Sequence, residues 1–181
     1  MRKVLYIFGQ LSDEDIEWMS RAGRRQRTLD GQVLLREGEQ VSHLFIMLEG
    51  VVTVAVSGLG VVAELGSGEV IGEMSFVDSA PAAATVTAVG GGTVLALDKR
   101  DVAQRLRAEP GFAGRFYKAL AIFLADRLRG TVDRLKPGDT NSLARDEIME
   151  DELDPGIVDQ VSLAGVRFER MLKTLLGAPA V

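Results

Sequence analysis

Between Arg25 and Asp98 the chain is a succession of short β-branched and aliphatic runs: 33–35, 44–48, 51–56, 61–65, 84–89 and 93–97. Each is bounded by turn residues, at Asp30-Gly31, Glu37-Gly38, Glu49-Gly50, Ser57-Gly58, Gly66 to Gly68 and Gly90 to Gly92. Runs this short cannot form helices of useful length, and their near-regular spacing leaves an all-β sandwich or barrel as the architecture. The longer helical signals lie outside this stretch. Ser12 can accept from the backbone three residues on, with Asp13, Glu14 and Asp15 at the positive end of the dipole, so a helix starts there and ends near Gly23. A short helix capped by Asp98 or Asp101 stops at Pro110. A longer one, Phe112–Leu135, carries Phe116, Leu120, Phe123, Leu124, Leu128, Val132 and Leu135 at helical spacing and ends at Pro137-Gly138. A last amphipathic candidate places Val158, Val161, Phe168, Leu172 and Leu175 on one face.

The charge distribution divides the chain in the same place. Its 181 residues carry a net charge of −5. Residues 1–136 hold 17 basic and 17 acidic side chains, whereas residues 137–181 hold 4 and 9, so the whole excess lies in the last quarter. The reading is a neutral domain, 1–136, followed by an acidic helical extension, 137–181. No fold-wide basic footprint for nucleic acid exists. The one dense basic run, Arg21, Arg24, Arg25 and Arg27, reads as a solvated helix end and edge strand. No membrane span and no secretory signal are expected, which makes the chain soluble and cytoplasmic.

Catalytic chemistry finds no foothold. Cysteine is absent and His43 is the only histidine, so thiolate sites, cysteine nucleophiles and histidine-cluster metal sites are all excluded. His43 has no Gly-x-Ser-x-Gly elbow to serve and reads as a strand histidine. Gly58, Gly60, Gly66 and Gly68 precede β texture rather than a helix, with no P-loop lysine, and read as turns. The expectation is no enzyme, no metal and no resident cofactor.

The segment 72–88 breaks the β texture with a short helical turn and re-enters a strand near Ala84. Backbone amides at such a turn form an anion cradle. Here the chain resembles the cyclic nucleotide-binding domain family. The resemblance runs from about residue 10 to 135. It rests on the ordered set Leu34 to Glu39, Leu44 to Gly50, Gly72-Glu73, Pro81 and Ala84 to Val86, and the 72–88 segment looks like the family's phosphate-binding cassette. The resemblance implies an eight-stranded jelly-roll barrel with one helix before it and two after. It also implies a small-molecule pocket at Gly72, Glu73, Met74, Ser75, Ala82 and Ala83. In the family the last helix commonly dimerises or lids the pocket, which suggests a homodimer through Phe112–Leu135.

One departure governs the functional expectation. In ligand-binding members the cassette glutamate contacts the ribose 2′-hydroxyl and an arginine nine or ten positions later clamps the cyclic phosphate. Glu73 occupies the first place, Ala82 the second, and no Arg or Lys lies between Gly72 and Val89. A charged hydrogen bond contributes about 1.5–3 kcal/mol net, so its loss weakens binding roughly 10- to 100-fold. Glu73, without a cation, would also repel an anion. Cyclic AMP or cyclic GMP is therefore expected to bind weakly or not at all, and Glu73 can equally serve by holding the cassette turn through backbone amides. The expected function is a regulatory module, the alternative an interaction scaffold with a degenerate pocket and an unknown protein partner. A transcription regulator fits less well: acidic side chains oppose the phosphate backbone, and no recognition helix follows Phe112–Leu135.

Overall fold

The computed structural model describes residues 8–134 and 155–177. In chain order its elements are α1 (Asp13–Ala22), β1 (Arg24–Thr28), β2 (Val33–Leu35), β3 (His43–Val56), β4 (Gly60–Leu65), β5 (Val70–Ile71), α2 (Glu73–Asp78), β6 (Thr85–Asp98), α3 (Lys99–Ala108), α4 (Pro110–Arg134) and α5 (Pro155–Leu176). All pairing is antiparallel, in the order β1-β6-β3-β4, with β2 added on β6 and β5 on β3.

The jelly-roll character holds, but two expectations about it are corrected. The six described strands form one sheet that does not close into a barrel, because β1 and β4 end the order without pairing to each other. Six strands replace eight because two of the glycine signals mark bends within strands, not turns between them. At Glu49-Gly50, β3 runs on unbroken while its register against β6 shifts on both sides of Glu49. At Gly90 to Gly92, β6 does the same. Such irregularities bend a strand without ending it. Glycine is required there by contact: a Cβ on Gly50 would lie 2.9 Å from the Gly92 Cα, and one on Gly92 only 2.7 Å from the Glu49 carbonyl oxygen.

Both faces of the long strands are covered at 44–48 and 93–97, so burial there is continuous and successive side chains enter opposite cores. Phe45, Met47, Val94 and Ala96 point into the roll with Val52, Leu65, Ile71 and Val86. Leu44, Ile46, Leu48, Leu95 and Leu97 point outward and are covered by the helices. That second cluster takes Ile16 and Met19 from α1, Phe112, Phe116, Leu120 and Phe123 from α4, and Phe168 and Met171 from α5. The helical layer is keyed by a buried carboxylate. Asp15 closes a capping box with Ser12 and accepts two hydrogen bonds from Arg115 of α4, at 2.7 and 3.0 Å. Arg105 of α3 lies over both the Trp18 and Phe112 rings, 4.7 Å from each centroid.

The predicted helix signals hold their places. Asp98 caps α3, accepting from the Arg100 amide at 2.8 Å. Of the basic run, Arg24, Arg25 and Arg27 lie exposed on β1 at the end of the sheet order, and Arg21 is in the last turn of α1. His43 opens β3 beside Ser42, whose hydroxyl lies 2.8 Å from Nδ1, and stacks on Phe45. The long apolar stripe divides: Phe116, Leu120 and Phe123 are buried, while Leu128 and Val132 stay 64% and 48% exposed. Leu135 and most of the acidic stretch lie outside the described residues, as do the side chains of Val158 and Val161. Among the described residues no helix is long and apolar enough to cross a membrane.

Candidate functional site

The cassette is built where β5 runs out. Gly72 turns the chain at φ +89°, a left-handed conformation, and a Cβ there would meet the His43 carbonyl oxygen at 2.8 Å. The turn launches α2, whose first residue, Glu73, is driven inward and left 2% exposed. Ser79, at φ 59°, ends that helix. The chain then reaches Ala82, which is fastened from both sides: its amide donates to the Glu39 carbonyl at 2.9 Å and its carbonyl accepts from the Gly38 amide at 2.8 Å. The Ala82 amide is thus committed to the scaffold.

All six residues expected at the site line one cavity. Gly72, Glu73, Met74, Ser75, Ala82 and Ala83 surround a space of about 80 Å³, with Leu35, Val54, Leu65, Ile71 and Val86 supplying apolar wall. Ligand pockets commonly measure about 300–1,000 Å³. The space between these walls is smaller than that range.

The residue that sequence reasoning missed is Arg127. It reaches in from α4, lines the same cavity, and donates to Glu73 Oε1 at 2.5 Å. Its other terminal nitrogen donates to the Val70 carbonyl at 3.1 Å and lies 3.5 Å from Glu69 Oε2. The guanidinium carbon sits 4.5 Å over the Phe123 ring. The expectation that Glu73 stands as an uncompensated charge is thus corrected: its cation comes from a helix 54 positions later. Burial pushes the Glu73 carboxyl above the usual carboxylate range, and the Arg127 charge only partly offsets it. Burial lowers Lys99 in turn, with Asp78 and Glu73 opposing. No group of three or more histidine, aspartate or glutamate side chains able to hold a metal ion occurs among the described residues.

An antiparallel jelly roll interrupted by a short helical cassette with a buried glutamate, and followed by two helices, defines a class. Residues 25–109 match the cyclic nucleotide-binding domain family, and this part of the chain is a cyclic nucleotide-binding domain, a regulatory fold. The cyclic nucleotide-gated potassium channel of Mesorhizobium japonicum is 31% identical over 112 residues, covering 62% of this chain and 31% of the channel. That of Rhizobium etli is 35% identical over 91 residues, covering 50% of this chain and 25% of the channel. The chain thus spans a third or less of the curated relatives it matches. Among solved structures, the N-terminal domain of a Streptomyces coelicolor transcriptional regulator superposes with TM-score 0.58 at 30% identity, covering 77% of this chain and 99% of that one. A cyclic nucleotide-binding domain from Methylobacillus flagellatus shares the fold with TM-score 0.66 at 24% identity, covering 76% and 85%.

Proposed function

We propose that this domain is a non-enzymatic regulatory module whose cassette does not take up cyclic AMP or cyclic GMP, the ion pair of Glu73 and Arg127 standing in place of a bound anion. The observation that carries this reading is Arg127 seated on Glu73 in a cavity of about 80 Å³ beside Ala82. A nucleotide would have to displace the guanidinium from a buried carboxylate, and Ala82 offers its phosphate no charge in return. Isothermal titration calorimetry with cyclic AMP and cyclic GMP tests the reading. No saturable heat is expected at millimolar ligand; a micromolar Kd for either would overturn it.

A second reading, an interaction scaffold working as a homodimer, is favoured by α4. Leu128 and Val132 lie four residues apart and remain exposed on a helix whose Phe112, Phe116, Leu120 and Phe123 are buried. Sedimentation velocity distinguishes it: Leu128→Glu with Val132→Glu shifts a dimer to monomer, whereas a wild-type monomer at high concentration removes this reading. A DNA-binding assay at low salt is expected to be negative for either reading.

A further inference from the structure

Away from the cassette residues, α5 ends before it has covered the outer face of the sheet. Arg25 and Arg27 are two residues apart on β1, so they project from the same face. Their register partners on β6 are Leu95 and Thr93, and Leu95 is completely buried beneath the helical layer. That layer stops at Leu176, and Gly177 follows at φ +81°. Beside it lies an open trough of about 930 Å³, lined by Arg25 and Arg27 of β1, Lys173 and Leu176 of α5, Glu49 and Gly91.

The cations of this trough divide by occupation. Arg25 donates to the Leu175 carbonyl and so satisfies the negative end of α5. The side chains of Arg27 and Lys173 make no hydrogen bond or ion pair among the described residues, and both residues are exposed. At the rim, Leu29 is 73% exposed beside them. Three cations against one carboxylate, set among leucines, form a local exception in a chain of net charge −5.

We infer that this trough is a docking surface for an acidic peptide segment of a partner protein, one that alternates carboxylates with apolar side chains. The carboxylates pair with Arg27 and Lys173 while the apolar residues cover Leu29 and Leu176. Nucleic acid fits less well, since exposed leucines have no use for a phosphate backbone. The inference goes beyond the cassette reading and is independent of it, since no residue is shared between the two sites.

Fluorescence anisotropy of the full chain tests it, with a short fluorescein-labelled peptide of glutamates carrying leucines at helical spacing as the probe. The same peptide with lysines for glutamates and a labelled single-stranded oligonucleotide serve as controls. The acidic peptide is expected to bind saturably and to weaken several-fold as salt is raised, with neither control binding. Arg27→Glu with Lys173→Glu lowers its affinity by about tenfold or more. Gly91→Phe gives an independent block, because a Cβ there meets nothing within 4 Å and the bulky ring would occupy trough space. Melting by circular dichroism confirms that both variants fold. Absence of peptide binding overturns the proposal. So does affinity unchanged in both folded variants, or oligonucleotide binding as tight as that of the peptide.

Discussion

Arg127→Met isolates the electrostatics of the cassette. Methionine keeps an unbranched apolar stem over Phe123 but removes the cation from Glu73, whose side chain is 3% exposed. Breaking a buried pair by deleting one partner costs about 3–5 kcal/mol, yet here the loss has a ceiling. A stranded carboxylate can take up a proton instead of staying charged. From its ordinary value of 4.5 this costs about 1.36 kcal/mol per pH unit, or about 3.4 kcal/mol at pH 7 and about 1.4 kcal/mol at pH 5.5. Burial already lifts the wild-type value, so part of this cost is present before the mutation. The expected loss is therefore below about 3.4 kcal/mol at pH 7 and below about 1.4 kcal/mol at pH 5.5. The sign follows from the raised folded value. The folded state holds the Glu73 proton to higher pH than the unfolded chain does. The group's contribution to stability is complete below its ordinary value and is lost as pH rises through the folded one. Urea unfolding at the two pH values reads the difference, and Glu73→Gln combined with Arg127→Met should recover most of the loss at pH 7. Equal losses at both pH values, or a double variant no more stable than Arg127→Met, would refute the reasoning.

Other outcomes follow from the same structure. Asp15 titrates with the opposite sign: burial pushes its carboxyl up, but bonds from Arg115 and Ser12 outweigh this and hold it below the ordinary 3.8. Its contribution is present above that value and lost as pH falls through the folded one, so Asp15→Asn should flatten the acid limb of a pH–stability profile. Asp15→Ala removes the capping box as well and should cost about 3 kcal/mol by chemical denaturation, since the partially exposed Arg115 can regain water. Gly72→Ala forces a left-handed residue against the His43 carbonyl and should cost about 1–3 kcal/mol, read as a lowered Tm. Ala82→Arg adds the missing clamp and should raise cyclic AMP affinity by roughly 10- to 100-fold if the cavity can open; unchanged calorimetry would mean that the Arg127 plug, not the missing charge, decides binding.

Local information in the sequence was enough for the β texture, the helix starts and the cassette. Each depends on residues close together in the chain: Ser12 and Asp15 in a capping box, Asp98 beside Arg100, a glycine at the head of a short helix. The six expected site residues cluster because four are consecutive and the other two lie on the return from the same loop. Glu49-Gly50 and Gly90 to Gly92 misled for a physical reason. A glycine pair that ends a strand and one that bends it differ only in whether a neighbouring strand keeps pairing across it, and that neighbour is remote in sequence. Arg127 was invisible for the same reason. On α4 it reads as one more exposed charge in an amphipathic helix, and only the packing of Phe116, Leu120 and Phe123 onto the sheet turns it toward Glu73. The sequence by itself therefore determined the family of the fold and the absence of the cassette arginine. Tertiary structure alone decided how the buried glutamate is neutralised and how little space remains beside it, because charge compensation and cavity volume belong to surfaces that folding brings together from distant parts of the chain.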